Sequence, residues 1–170
     1  MPIDPFYLTW KAREFGRNTR FIELAGMINT AMPSYVVSRL AGALSRQHKK
    51  ALNGSKVLVA GVAYKKNVND IRESPALEIM ELLREEGAVI AFHDPFVPEI
   101  PTTREYAALA EMKSVPWTAE EISRYDAALI VTNHDNIDWE KLVASCSLII
   151  DTRNTLRPRR QSYGDRIVKA

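Results

Sequence analysis

The stretch KVLVAGVAY (residues 56–64) decides the fold. After Lys56 it runs apolar without alternation, the pattern of a strand covered on both faces. Such strands belong to parallel sheets, where helices lie above and below. The pattern repeats downstream. Ser74-Pro75 opens a helix over 75–86, with proline in the first helical position and Gly87 as its stop. AVIAFHD (88–94) is a second strand, ending in an Asp94-Pro95 turn. A weaker helix at 103–112, a short strand at 115–117 and a helix at 118–124 follow. AALIVTNH (127–134) is a third clear strand, 138–145 a helix, and SLIIDTR (147–153) a last strand. Buried strands alternating with helices predict an α/β fold with a doubly wound, mostly parallel sheet. The tail after Asn154, with Arg157, Pro158, Arg159 and Arg160, has no periodicity and is expected to be poorly ordered.

Upstream the period changes to that of a helix. Residues 5–16 read as a short helix capped by Asp4, with Pro5 in its first turn and Gly16 as its stop. A longer helix begins at Asn18 or Thr19, with Glu23 near the place of a capping-box acid. Its apolar positions, among them Phe21, Leu24, Ile28, Met32, Val36, Leu40 and Leu44, recur every three or four residues to about residue 48. Pro33 predicts a kink or a break. Unbroken, the helix would be about 45 Å long, too long for the sheet to bury alone, and would pack on a partner subunit or another domain. Two ordinary helices broken at Pro33 are the alternative. The division is 1–50 for a helical dimerisation region, 55–157 for a sheet domain and 158–170 for the tail.

With 46% hydrophobic residues, the 170-residue chain can bury a sizeable core. The net charge of +2 names no partner. The basic tail lacks the interleaved aromatics of a nucleic-acid site, so no nucleic-acid partner is expected. One cysteine, Cys146, allows neither an internal disulfide nor a cysteine zinc cage, and suits a reducing cytoplasm. It is expected to be a small buried residue rather than a nucleophile. The histidines at 48, 93 and 134 have no metal-ligand spacing and are assigned ordinary loop or surface roles. No apolar run reaches the length of a membrane span.

In an open parallel sheet, ligands bind beyond the carboxyl ends of the strands. Those ends carry Tyr64, Lys65, Lys66, Asn67, Val68 and Arg72 after the first strand, and Arg153 after the last. Arginine forks and lysine point charges suit a diphosphate. The helix opening at Ser74 would add N–H groups and a positive dipole end. Equally, the lysines can be solvated and the arginines paired with Asp70 or Glu73. The first strand is not followed by G-x-G-x-x-G, since the stretch 60–65 holds one glycine, Gly61, so NAD is not expected to sit on the sheet in the usual manner.

GVAYKKNVNDIRESPALEIMELLREEGAVIAFHDPFVP (61–98) closely resembles the C-terminal domain of the UDP-glucose/GDP-mannose dehydrogenases. The likeness is to the branch acting on UDP-N-acetylglucosamine or UDP-N-acetylmannosamine. PIDPFYLTWKAREFG (2–16) and FIELAGMINTAMPSYVV (21–37) resemble that family's central helical region, and LIIDTRN (148–154) its last strand. The resemblance implies a Rossmann-like sheet that holds a UDP-sugar, a long helix that forms a homodimer through 19–48, and two-step oxidation of a primary alcohol with NAD. It places Tyr64, Lys65, Lys66, Asn67 and Val68 against the UDP-sugar, Lys65 foremost. It places Arg153 at the phosphate and Arg72 on the NAD side of the cleft.

The family's nucleophilic cysteine lies in G-G-H-C-I-P-x-D-P, and Asp4 matches the aspartate of that pattern, which assists the water and proton chemistry. Met1 stands one position after that cysteine, so the opening MPIDPFYL reads as a cut edge. The chain alone, without the cysteine and the NAD domain, is expected to be inactive. A stand-alone dimerisation or nucleotide-sugar-binding module is the alternative.

Overall fold

A computed structural model describes residues 3–102, 105–159, 162 and 164–170. Helix α1 (Ile3–Glu14) ends on Gly16, which takes the left-handed conformation at φ 66°. Helix α2 (Arg20–Ala43) runs unbroken through Pro33, and a π-helical turn, Leu44–His48, extends it. The break allowed for at Pro33 does not occur. Glu23 does not cap α2; it pairs with Arg13 of α1 at 2.8 Å, while Thr19 donates from Oγ1 to Thr9 Oγ1 at 3.0 Å.

The sheet contains strands β1 (Lys56–Ala60), β2 (Val89–His93), β3 (Ala127–Ile130), β4 (Ile149–Asp151) and β5 (Ile167–Lys169). They are all parallel and lie in the order β2-β1-β3-β4-β5. Helices α3 (Pro75–Glu85), α4 (Ala119–Ile122) and α5 (Trp139–Ser145) connect them. Successive side chains of a strand point to opposite faces, and the core divides accordingly. Val57, Val59, Leu129 and Ile150 join one cluster with Leu40 of α2 and Met80 and Leu83 of α3. Leu58, Ala128, Ile130 and Ile149 join the other with Ile122 of α4 and Leu142 of α5. This is the two-sided burial that the unbroken apolar runs require.

The strands are shorter than their apolar runs. The chain leaves β1 at Gly61, whose φ is 81°. A Cβ there would lie 2.1 Å from the Thr132 carbonyl oxygen. Only glycine allows that approach. Val62 and Ala63 stay buried, but as part of a turn. Of the helix expected at 103–112, residues 103 and 104 lie outside the described residues, and a 3-10 turn, Ala107–Leu109, is present. No strand forms at 115–117. Ser114 instead makes an isolated bridge to Phe92, and Val115 N–H bonds to the Phe92 carbonyl.

The tail also departs from expectation. Its last residues form β5, which adds to the edge of β4 with Ile149 opposite Ile167 and Asp151 opposite Lys169. Ile167 is buried. Arg39 of α2 donates to the Lys169 carbonyl, and Arg166 donates to the carbonyls of Val143 and Cys146 at the end of α5. A three-residue strand has too few positions to show a period, and these anchors come from distant parts of the chain.

Candidate functional site

Ala60 stands level with His93 and Ile130, and Ile130 with Asp151, so the carboxyl ends of β1 to β4 form one rim. The strand order reverses between β1 and β3, the place where such sheets open a crevice. A cavity of about 600 Å³ lies there. Tyr64, Val131, Thr152 and Arg153 line it from the segments that follow β1, β3 and β4, Ser74 and Glu78 from the start of α3, Tyr106 from the segment after β2, and Asn29, Met32 and Val36 from α2.

Two buried aspartates at strand ends shape the rim. Asp94, just past β2, accepts N–H bonds from Val62 and Ala63 on Oδ2 and from Phe96 and Val97 on Oδ1. It also meets His134 Nε2 at 3.0 Å. Burial pushes the Asp94 carboxyl up, but the bonds from His134, Phe96 and Val62 together hold it below the usual range. Asp151, the last residue of β4, accepts from Arg153 and Thr155 on Oδ1 and from Leu156 on Oδ2. It thereby sets the turn that carries Arg153.

The structure brings only some of the expected residues together. Tyr64 and Arg153 line the same cavity. Arg153 donates from Nε to the Val131 carbonyl at 2.6 Å, and no carboxylate among the described residues pairs with its guanidinium. Lys65 follows Tyr64 with its Nζ 5.1 Å from the centre of that ring, and has no acidic partner among the described residues. Lys66 is paired with Asp135. Asn67 takes φ 61° and binds His134 through its backbone and Asp135 through its side chain. Val68 is half-buried against the core. Arg72 forks onto Asp70 and is otherwise exposed, and that pair draws the Asp70 carboxyl down to about 2. The side chain of Asp4 lies outside the described residues.

Two expectations are corrected. The first N–H groups of α3 are taken up locally, since Ala76 donates to Ser74 Oγ and Leu77 to the Ser74 carbonyl. Glu73 and Glu78 stand at the same mouth. His134, assigned a loop or surface role, does lie in the loop after β3 but is completely buried there. His93 is half-buried, donates from Nδ1 to the Val115 carbonyl, and burial lowers its pKa. Asp94 and Asp151 escaped notice as organisers, although each closes a strand and precedes a turn, the signal that marks an acceptor for exposed N–H groups. Cys146 is buried as expected, and burial raises its thiol pKa. Among the described residues no His, Cys, Asp and Glu group could hold a metal ion, and no helix is long and apolar enough to cross a membrane.

Residues 58–158 match the family model for the UDP binding domain of the UDP-glucose/GDP-mannose dehydrogenase family. A UDP-N-acetyl-D-mannosamine dehydrogenase of Methanococcus maripaludis is 30% identical over 165 residues, covering 91% of this chain and 34% of the relative. A UDP-N-acetyl-D-glucosamine 6-dehydrogenase of Salmonella typhi is 30% identical over 134 residues, covering 78% and 29%. Among solved structures, a UDP-D-ManNAc dehydrogenase of Pyrococcus horikoshii superposes with a TM-score of 0.71 at 27% identity, covering 90% of this chain and 34% of that one. The chain spans about a third of the length of these proteins.

Proposed function

Because the chain belongs to the UDP-glucose/GDP-mannose dehydrogenase family, we propose that its sheet domain holds the UDP part of a nucleotide sugar, as the substrate-binding part of an NAD-dependent nucleotide-sugar 6-dehydrogenase. The observation that carries this reading is the convergence of Tyr64 and Arg153, an arginine with no carboxylate partner among the described residues, in one cavity at the strand-order reversal. The Val131 carbonyl fixes Arg153 Nε and leaves the two terminal nitrogens for a phosphate, a pairing that charge assistance favours. Lys65 adds a second positive charge at the rim. Lys66 and Arg72 are already matched by Asp135 and Asp70, so on this reading they orient the loop more than they bind. Glu73 and Glu78 repel a diphosphate on their side and would turn it toward Arg153.

The sheet itself does not fit NAD. Gly61 donates its N–H to the His93 carbonyl, and the space beside its Cα is filled by the Thr132 carbonyl, so no cradle for a pyrophosphate exists after β1. By itself the chain is expected to bind substrate without reducing NAD. A homodimer through the 19–48 helix is part of the same proposal.

Calorimetric titration of UDP tests the binding claim. Saturable binding is expected, weakened about tenfold or more in Arg153→Ala, the loss of one charge-assisted contact. Equal affinity in the variant and the parent would contradict the assignment of Arg153.

A further inference from the structure

At the rim, an imidazole joins three strand ends. His134 follows β3, has no exposed surface, and packs its ring 5.1 Å from that of Phe96. Its Nε2 lies 3.0 Å from Asp94 Oδ2, the oxygen that also accepts from Val62 and Ala63 after β1. Its Nδ1 lies 2.9 Å from the backbone nitrogen of Asn67. A backbone N–H can only donate, so Nδ1 presents its lone pair and Nε2 carries the proton toward Asp94. The network thus assigns the neutral Nε2–H tautomer. Asp135, the next residue, grips the same loop from outside, exchanging hydrogen bonds with the Asn67 amide and pairing with Lys66. Tyr64 N–H closes the loop on the Asp70 carbonyl.

We propose that His134, held in its Nε2–H tautomer by Asp94, is a positioning residue that fixes the 64–68 loop through the Asn67 N–H and so sets how Tyr64 faces the cavity, with Lys65 next to it. The proposal rests on the reading of that cavity as a UDP site. Asp94 acts at one remove, orienting the imidazole as a carboxylate does for a histidine whose other nitrogen has a task. His134 does not line the cavity, so its influence on a ligand passes through the loop.

Two near-isosteric variants separate the two ring nitrogens. In His134→Asn the amide oxygen falls close to the position of Nδ1 and can still accept from Asn67. In His134→Gln the amide nitrogen falls close to Nε2 and can still donate to Asp94, while Asn67 loses its acceptor. Three quantities are read: the protonated nitrogen of His134 in the unaltered chain by long-range ¹⁵N–¹H correlation, hydrogen exchange at the Asn67 amide, and the Kd for UDP. The expected results are a proton on Nε2 and about tenfold or faster Asn67 exchange in His134→Gln. UDP affinity should fall by a similar factor in that variant, and His134→Asn should rescue most of both losses. A proton on Nδ1, a measurement that needs no variant, overturns the proposal. So does unchanged Asn67 exchange in His134→Gln, or a loss of UDP affinity equal in both variants, which would mark a packing role only. Failure of the unaltered chain to bind UDP would instead strike the functional reading, with the tautomer and Asn67 exchange still deciding whether His134 holds the loop.

Discussion

Asp94 is a carboxylate surrounded by donors, and both of its oxygens are needed. Oδ2 receives Val62, Ala63 and His134, and Oδ1 receives Phe96 and Val97. Asp94→Asn would point an NH2 group at donors on one side or the other, at a cost of about 3 kcal/mol in stability by chemical denaturation. The folded carboxyl lies below its usual pKa. Its contribution is therefore complete above the ordinary aspartate value of about 3.9 and is lost as pH falls through the folded value. Asp94→Asn should lack that part of the acid slope, and an identical slope in both proteins would count against this role. At this scale the sequence was half legible. Lysines and arginines at strand ends announced themselves by charge. Which of them stay unpaired depended on Asp70 and Asp135, and on contacts such as Arg153 with Val131 that no local pattern records.

Among the elements, the long ones were legible because their periodicity spans many residues. Strands β1, β3 and β4 showed as apolar runs since both faces are covered, and α2 showed as a repeating stripe. Pro33 was read as a possible break, yet α2 passes through it. Pro33 and, a turn further on, Val36 and Val37 are buried, so packing against α3 supports that stretch of helix despite the lost backbone bond. The strand ends were not legible, because the contact of Gly61 with Thr132 is made across the sheet. Strand β5 was missed altogether. If it is an integral edge, Ile167→Ala should cost about 2–5 kcal/mol, the range for emptying a buried isoleucine site. Urea denaturation reads this directly, and a change near zero would mean that the tail is only loosely attached.

Across the whole molecule, the contrast is between a closed sheet domain and an open helical arm. Phe21 is 89% exposed, Phe15 72% and Met27 68%, with Trp10 and Ile28 beside them. Exposed apolar surface of that extent marks an interaction site, in keeping with the proposed dimer. Sedimentation should therefore show association that rises with concentration, reduced by the double variant Phe21→Asp and Met27→Asp. A chain that stays monomeric throughout would remove the dimer from the proposal. The sheet domain poses a separate question, whether its cavity takes a nucleotide diphosphate. The most direct measurement is a ¹⁵N–¹H titration with UDP, followed residue by residue. Saturable shifts gathered at 64–68, 131–134 and 152–154 are expected, at the rim where Tyr64 and Arg153 meet. Absent shifts, or shifts centred on α5 and β5 away from that rim, would contradict the assignment of this cavity to UDP.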